Sequence, residues 1–264
     1  MILSDKIEAA LGSAVREIRQ LPGGDLGGAT LVILADGSRV VAKTGANVST
    51  EGAMLRAIGA TGAPSATVLH CEACLLVMEF VENDGRGGWQ SLAKGLHALH
   101  TVQDHPFGWN ADYAFGALPI LNTPMDDWAQ FWAQRRLLPF CADMDATLAR
   151  RIEALAVCIP DILPATPPAA LLHGDLWSGN IVFNAGRLAA LIDPACYYGD
   201  REVDIAMLQV FGRPPPAFFS ACDLAPGWQE RVPAYQLWPM LVHLRLFGSG
   251  YRSRVDSLLS ACGV

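Results

Sequence analysis

Short β-branched runs, separated by polar turns, dominate the first third of the chain. They predict strands, and turns such as Asp36-Gly37 predict antiparallel pairing between them. The predicted strands are Ala29–Leu34, Arg39–Lys43, Ala66–His70 and Leu75–Phe80. Helical spacing precedes the first strand, and a second helix follows Lys43 with Ser49 or Thr50 as its N-cap.

Helical spacing of apolar residues prevails after residue 88. Predicted helices cover Trp89–His100, Met125–Phe140, Ala146–Val157 and Leu237–Gly248. One hairpin interrupts them, with strands at Ile181–Phe183 and Leu188–Ile192. The order predicts an α+β fold of two lobes. Residues 1–81 form a small lobe with an antiparallel sheet and one main helix, and residues 82–264 form a larger, mostly helical lobe.

Composition narrows the class of protein. The chain has 264 residues, of which 52% are hydrophobic, enough for a large core. No apolar run reaches the length of a membrane span, and the charged start (Asp5, Lys6, Glu8) is typical of an amphipathic helix and not of a signal peptide. The net charge of −7 and the lack of a basic stripe argue against a nucleic-acid partner.

The seven cysteines indicate a cytoplasmic setting. Their odd number, without a secretory signal, predicts reduced thiols. Cys71-x-x-Cys74 leaves a zinc or redox interpretation open. No second cysteine pair or His-x3-His follows at a useful spacing, so that interpretation is the minority one.

The densest group of candidate catalytic residues lies in His173–Asn180. Asp175 precedes Asn180 by five residues, and Asp193 ends the next apolar run. Phosphoryl transfer from ATP requires a carboxylate that accepts the proton of the attacking hydroxyl, together with oxygen ligands for Mg²⁺. Asp175 is the candidate base, and Asn180 and Asp193 are the candidate metal ligands. The alternative is that these residues only cap a turn and end a strand.

The predicted hairpin explains why the two metal ligands would meet. Asn180 comes just before its first strand and Asp193 just after its second. A short hairpin brings its two ends together, so the side-chain oxygens would lie close enough to share one Mg²⁺.

A second candidate site lies near the N-terminus. The glycine-rich turn at Leu21–Gly28, including Gly23 and Gly24, can bring backbone N–H groups close to phosphates, although it can also be a plain hairpin turn. Lys43 ends an apolar strand with the sequence Val-Ala-Lys. Kinases place at this position the lysine that binds the α- and β-phosphates. Glu51, in the first turn of the following helix, is its predicted partner; the alternative is that Glu51 only offsets the helix dipole.

The stretch after the fourth strand is a candidate adenine site. Glu79-Phe80-Val81-Glu82 leads into a polar, glycine-rich segment, as expected of a hinge. The carbonyl of Glu79 and the N–H of Val81 are the candidate partners of adenine. Met78 would line the purine pocket, unless it is simply a core residue.

Several of these motifs together resemble one known family. HGDLWSGN at 173–180 and IDPACYYGDREVD at 192–204 are similar to the fructosamine kinase (ketosamine-3-kinase) family, within the aminoglycoside phosphotransferase-like kinases. Leu96–His100 and the stretch from Tyr235 to Tyr251 are similar in style. The resemblance therefore extends from the glycine turn almost to the C-terminus.

The resemblance implies a protein-kinase-like fold, with ATP and Mg²⁺ as cofactors. The implied reaction phosphorylates the 3-hydroxyl of a ketosamine, and the unstable product then releases its amine, which amounts to deglycation. The implied partner is a small-molecule or glycated-amine substrate. Trp177 would stack on the sugar or pack under the loop. Asp200 would receive the cationic amine or, with Glu202 and Asp204, stabilise the catalytic loop.

Two other classes of function stay open. One is a kinase of the same fold that acts on an aminoglycoside, choline or another small hydroxyl acceptor. Trp177 and the YYGDRE run at 197–202 argue against it. The other is a non-catalytic pseudokinase, which would lack the base, a metal ligand or the lysine. The sequence carries no signal for an oligomeric state.

Overall fold

The computed structural model of the chain describes residues 2–21 and 28–264, which form two compact units. The first unit comprises Met1–Gly95 and Asn180–Pro194, and the second comprises Leu96–Gly179 and Ala195–Val264. The sequence predicts one boundary after Val81, whereas residues 82–95 and the 180–194 segment group with the first unit. Hydrogen bonds explain this grouping: the Asp84 carboxylate accepts from Ala185 N–H at 3.0 Å, and the Ser91 hydroxyl accepts from Leu188 N–H at 2.8 Å.

A five-stranded antiparallel sheet is the centre of the first unit. Its strands, in the spatial order β1-β2-β3-β5-β4, are β1 (Val15–Gln20), β2 (Ala29–Leu34), β3 (Arg39–Thr44), β4 (Val68–Glu72) and β5 (Leu75–Glu79). Alternating apolar residues of β2 and β3, such as Val32, Val40 and Ala42, are buried on one face. They pack with Ile7 of the helix α1 (Leu3–Leu11).

The helix α2 (Val48–Ala60) follows β3 and packs against β5 through Leu55, which lies in one buried cluster with Leu76 and Met78. The predicted N-cap of this helix is wrong. The helix begins at Val48 after Asn47, whose side chain makes no capping bond. Ser49 and Thr50 therefore lie within its first turn.

The predicted hairpin of the first unit is present as β9 (Ile181–Asn184) and β10 (Arg187–Leu191). A two-residue turn joins them, in which Ala185 and Gly186 both have positive φ, 52° and 73°. Such a turn matches the twist of paired strands. Leu191 pairs with Ile181, so the residues flanking the hairpin come together.

The second unit is mostly helical. The helix α3 (Trp89–Leu99) crosses the boundary between the units along the chain. The other helices are α4 (Trp128–Phe131), α5 (Ala146–Ile162), α6 (Glu202–Phe211), α7 (Pro216–Ser220), α8 (Trp228–Phe247) and α9 (Arg252–Ala261). Two short strand pairs accompany them: β6 (Tyr113–Phe115) with β7 (Leu118–Ile120), and β8 (Ala170–Leu172) with β11 (Tyr197–Gly199).

Large aromatic side chains form the core of this unit. Trp128, Trp132 and Tyr197 have no exposed surface, and Trp128 lies 5.5 Å from Trp132 between ring centroids. The predicted helix at Met125–Phe140 is interrupted. After α4 the chain forms a π-helix at Trp132–Leu137 and a 3₁₀-helix at Leu138–Asp143. No helix in the described ranges is long and apolar enough to cross a membrane.

Candidate active site

Lys43 forms two ion pairs in the first unit. Its Nζ lies 2.7 Å from Glu51 Oε1 and 2.7 Å from Asp193 Oδ1. Strand β3 places the lysine near its end, α2 supplies Glu51 from its first turn, and Asp193 follows β10. The predicted Lys43–Glu51 contact is therefore present, and Asp193 joins it from 150 residues away along the chain.

Lys43, Glu51 and Asp193 together form what we call the Lys43 triad, and both burial and charge affect its protonation. The side chains of Lys43 and Glu51 are only 12% and 7% exposed, whereas that of Asp193 is 39% exposed. Burial alone would lower the pKa of Lys43, but the attraction of the two carboxylates outweighs it, so that pKa is raised and the lysine stays protonated. One cation among two carboxylates leaves a net charge of −1, which favours a divalent cation nearby.

The ends of the β9–β10 hairpin meet as the sequence predicts. Ile192 N–H donates to the Asn180 carbonyl at 3.1 Å, which brings Asn180 next to the residue preceding Asp193. Asp193 has φ 53°, in the left-handed region that aspartate and asparagine tolerate better than most residues. A non-glycine residue held there at the rim of a candidate site is a typical sign of function.

The donor set at this hairpin fits Mg²⁺. Asn180 and Asp193 offer amide and carboxylate oxygens, the hard ligands that Mg²⁺ prefers. In the part of the chain that the structure describes, no group of three or more His, Cys, Asp or Glu side chains could hold a metal. Mg²⁺ in kinases needs only one or two protein ligands, since phosphates and water supply the others.

The candidate adenine residues lie at the end of β5. Met78 is 3% exposed and packs in the same cluster as Val81, which is partly buried. Glu79 makes two hydrogen bonds with Thr67. Its N–H donates to Thr67 O at 2.9 Å, and its Oε1 accepts from Thr67 N–H at 3.0 Å. Their contact with adenine stays a prediction, and Gly23 and Gly24 lie outside the described residues.

The candidate base Asp175 is positioned by the second unit. It follows β8 after His173 and Gly174, and its own N–H lies 3.3 Å from His173 Nδ1. Gly174 has φ 80°, and a Cβ at this position would lie 2.0 Å from Ala195 O. Only glycine therefore allows the loop to pass so close to Ala195, two residues before β11.

A buried carboxylate from α6 holds this loop. Asp204 accepts from His173 N–H at 2.8 Å and from Gly174 N–H at 2.9 Å, and its Oδ2 lies 2.9 Å from His100 Nε2. Burial alone would raise the pKa of Asp204, but the hydrogen bond and charge of His100 and the loop amide outweigh it and lower that pKa. Asp204 is therefore ionised, and it fixes the backbone on the N-terminal side of Asp175.

Asp175 lines a small concave pocket of the second unit that is open to solvent. Most of the pocket wall is apolar, and its other lining residues come from α6, α8, β6 and the Asp175 loop. They are Phe115, Gly174, Met207, Trp238, Pro239, Val242 and His243. An apolar pocket with one convergent carboxylate is the usual form of a small-molecule site.

Sequence reasoning missed most of this pocket wall. Met207 and Val242 belong to helices whose apolar spacing predicts ordinary core packing. The available signal was the stretch from Tyr235 to Tyr251 that resembles the family, since it contains Trp238, Pro239, Val242 and His243. The Nδ1 of His243 lies 2.7 Å from Pro239 O, and because a carbonyl can only accept, Nδ1 carries the proton.

The two tentative substrate residues differ in exposure. Trp177 is 38% exposed and lies two residues after the candidate base Asp175. Asp200 is only 6% exposed, and its carboxylate accepts from Glu202 N–H at 3.0 Å and Tyr235 O–H at 2.7 Å. These contacts favour the structural alternative for Asp200.

Comparison with known proteins shows the family of the chain. The family model for fructosamine kinase matches residues 3–262. The chain belongs to the fructosamine kinase family. A probable ketoamine kinase of Synechocystis is 38% identical over 203 residues, which cover 71% of this chain and 67% of that protein. A chloroplastic protein-ribulosamine 3-kinase of Arabidopsis thaliana is 33% identical over 199 residues, 70% of this chain and 60% of the plant protein.

Solved structures agree on the fold. A crystal structure from Thermobifida fusca, named for fructosamine-3-kinase, has a TM-score of 0.88 and 29% identity, with 98% of each chain covered. The aminoglycoside phosphotransferase APH(4)-Ia, solved with AMP-PNP and hygromycin B, has a TM-score of 0.68 and 18% identity, with 99% of this chain and 96% of that chain covered. The predicted α+β, protein-kinase-like fold and the family resemblance are both confirmed. The protein is a phosphotransferase.

Proposed function

We propose that this protein uses ATP to phosphorylate a sugar hydroxyl of ketosamines, at the 3-position of a fructosamine or ribulosamine. The observation that carries the nucleotide half of the proposal is the Lys43 triad, in which one buried lysine contacts both Glu51 and Asp193 at 2.7 Å. The family supplies the acceptor half. The proposed acceptor is a small-molecule ketosamine or a glycated amine.

The first unit would handle the nucleotide. Lys43 would bind the α- and β-phosphates while Glu51 holds its ammonium in place. Asn180 and Asp193 would hold Mg²⁺, which neutralises phosphate charge when bound. Adenine would be recognised by the carbonyl of Glu79 and the N–H of Val81, with Met78 against the ring. The backbone amides of Gly23 and Gly24 would contribute to phosphate binding.

The second unit would handle the acceptor. In the proposed reaction Asp175 orients the sugar hydroxyl and accepts its proton as the oxygen bonds to the γ-phosphorus and ADP leaves. Asp204 supports this step because it bonds to two backbone N–H groups just before the base. Because most of the pocket wall is apolar, an acceptor that fills the pocket would displace water from Asp175, which would favour transfer to the sugar over hydrolysis of ATP.

Trp177 and Asp200 take different places in this scheme. Trp177 is exposed next to the base, so its ring is available for stacking on the sugar. Asp200 bonds to Tyr235 O–H, which in turn accepts from Trp128 Nε1–H at 2.9 Å. We assign Asp200 to the support of the α6 N-terminus and not to the substrate.

An acceptor panel tests the proposed function. The purified protein is incubated with Mg²⁺-ATP and a fructosamine, a ribulosamine, an aminoglycoside, choline or a free sugar, and ADP release is followed. We expect release above background with a ketosamine only. Equal release with choline or an aminoglycoside would contradict the assigned acceptor. Failure with every acceptor would contradict the catalytic proposal itself.

A further inference from the structure

A strip of aromatic side chains runs along the second unit from the base to the surface. Trp177 lies 6.2 Å from Phe211, and Phe211 lies 5.0 Å from His243 between ring centroids. His243 lies 5.3 Å from Phe247 and 5.0 Å from Tyr251. We call these five residues the aromatic strip. The reaction scheme above uses Trp177 and leaves the rest without a role.

The strip is continuous with the acceptor pocket at two points. His243 lines the pocket together with Asp175. At the other point, Trp177 N–H donates to the Asp175 carbonyl at 3.1 Å, and its ring covers Gly179 so closely that a Cβ there would lie 2.3 Å from it. An acceptor whose sugar reaches Asp175 would therefore meet the strip where its substituent leaves the pocket.

The outer members of the strip are exposed. Phe211 is 44% exposed and Phe247 is 43% exposed. They end the helices α6 and α8, and Tyr251 lies in the 3₁₀ turn Ser249–Tyr251 that follows α8. A single exposed phenylalanine is ordinary, but several in ring contact beside a pocket mark a binding surface.

The chemistry of a ketosamine matches this arrangement. The sugar part of a ketosamine is polar, whereas the substituent on its amine nitrogen depends on the amine and can be a small group, an alkyl chain or a group with an aromatic ring. The amine nitrogen is attached to C1 and the reacting hydroxyl to C3, so three carbons separate them and the substituent begins close to the base. Aromatic faces attract both apolar groups and a protonated amine.

We propose that the aromatic strip binds the substituent on the amine nitrogen of the acceptor. Through Phe211, Phe247 and Tyr251, it selects ketosamines of amines that carry a large apolar or aromatic group over those of small amines. This inference rests on the proposed function, because it takes the ketosamine sugar to lie at Asp175.

Two matched acceptors test the selection. Fructosyl-phenylalanine and fructosyl-glycine share the sugar, the amine and the carboxylate, and differ in one benzyl group. We expect wild-type protein to have a higher kcat/KM for the phenylalanine adduct. In the F211A/F247A double variant, the ratio of the two kcat/KM values should fall about tenfold, mostly through KM, since the lost contacts are aromatic.

Matched controls separate this outcome from general damage. Val157→Ala removes another exposed apolar side chain, 80% exposed on α5, and should leave the ratio unchanged. The single variant Phe247→Ala, checked by thermal melting, provides a milder test of the same surface. A ratio of kcat/KM values that is unchanged in the double variant, including the case in which both values fall equally, would overturn the strip as a selective surface. Failure of wild-type protein with both adducts would instead reject the proposed function, and this inference with it.

Discussion

The Lys43 triad in the first unit and the contacts of Asp204 in the second unit differ in the kind of partner. Asp204 bonds to His100 and to the N–H groups of His173 and Gly174. The Nζ of Lys43 contacts the side chains of Glu51 and Asp193, and that of Asp193 is 39% exposed. Asp204 has no exposed surface, and two of its partners are backbone N–H groups. The Lys43 triad therefore consists of ion pairs between side chains, whereas Asp204 is bonded mainly to the main chain.

This difference corresponds to two tasks in the proposed reaction. Phosphates and Mg²⁺ would have to displace or share the contacts of Lys43 and Asp193, and the Asp193 carboxylate, which is 39% exposed, is accessible to them. The base must be held in one geometry while the acceptor approaches, which backbone contacts to a buried carboxylate provide. Substitutions in the two units should therefore differ in kind.

Removal of the base should have the largest effect. Asp175→Asn keeps the size of the side chain but cannot accept the proton, so we expect kcat to fall by about 10³-fold. The melting temperature should change little, because the Asp204 contacts to His173 and Gly174 do not involve the Asp175 side chain. Steady-state kinetics with ATP and a fructosamine measures this. Turnover within a few fold of wild type would refute the role of Asp175.

Asp193→Asn should reduce turnover by about 10²-fold, since it removes one charge next to the transferred phosphate. Asparagine also tolerates the φ of 53° at this position, so the backbone should be preserved. The test is the Mg²⁺ dependence of kcat, which should shift to higher Mg²⁺ concentration. An unchanged Mg²⁺ dependence would remove Asp193 from the metal site.

Lys43→Met should raise the KM for ATP about tenfold and leave the KM for the acceptor nearly unchanged, because the lysine acts on phosphates only. Lys94→Met, at an exposed lysine of α3, is the matched control and should match wild type. Calorimetric titration with a non-hydrolysable ATP analogue measures the same effect without turnover. Unaltered nucleotide affinity in the Lys43 variant would contradict its assignment.

Asp204→Asn should act on stability first and on turnover second. It replaces charged hydrogen bonds in a buried site, which we expect to cost about 2 kcal/mol in the free energy of unfolding. Asp223→Asn, at a side chain that is 81% exposed, is the matched control and should cost almost nothing. Denaturant unfolding of both variants, with kcat for fructosamine, separates the two effects.

The Asp204 contribution should also depend on pH. Its pKa is lowered in the folded protein, so its stabilising effect is complete above the unfolded value of about 3.9 and is lost as pH falls through the folded value. The gap in unfolding free energy between wild type and Asp204→Asn should be widest near pH 7 and should narrow below about pH 4. A gap independent of pH would mean that Asp204 is not ionised.

The sequence predicts the candidate site better than it predicts the frame around it. Lys43 and Glu51 are close in sequence. The hairpin that brings Asn180 beside Asp193 is predicted from the short turn between its strands, so local sequence patterns are enough to predict both pairs. The contact between Lys43 and Asp193 spans 150 residues, and no local rule predicts such a contact. The acceptor pocket was missed for the same reason.

The errors in the fold have physical causes. Strand β1 was missed because Val15–Gln20 is charged and its Ile18 is 41% exposed, so it lacks the alternation of a half-buried strand. It forms by pairing with β2 at the sheet edge. The helix predicted at Met125–Phe140 ends as an α-helix at Phe131, and Pro139, which has no N–H to donate, lies where the chain has changed to a 3₁₀-helix.

Product analysis tests the central claim most directly. Wild-type protein is incubated with Mg²⁺-ATP and fructosyl-glycine, and the products are followed by phosphorus NMR. We predict that at early times, before the unstable ester releases its amine, ADP and a phosphate ester on the 3-oxygen of the sugar form in equal amounts. ADP without a phosphorylated sugar, or an ester on another oxygen, would contradict the account.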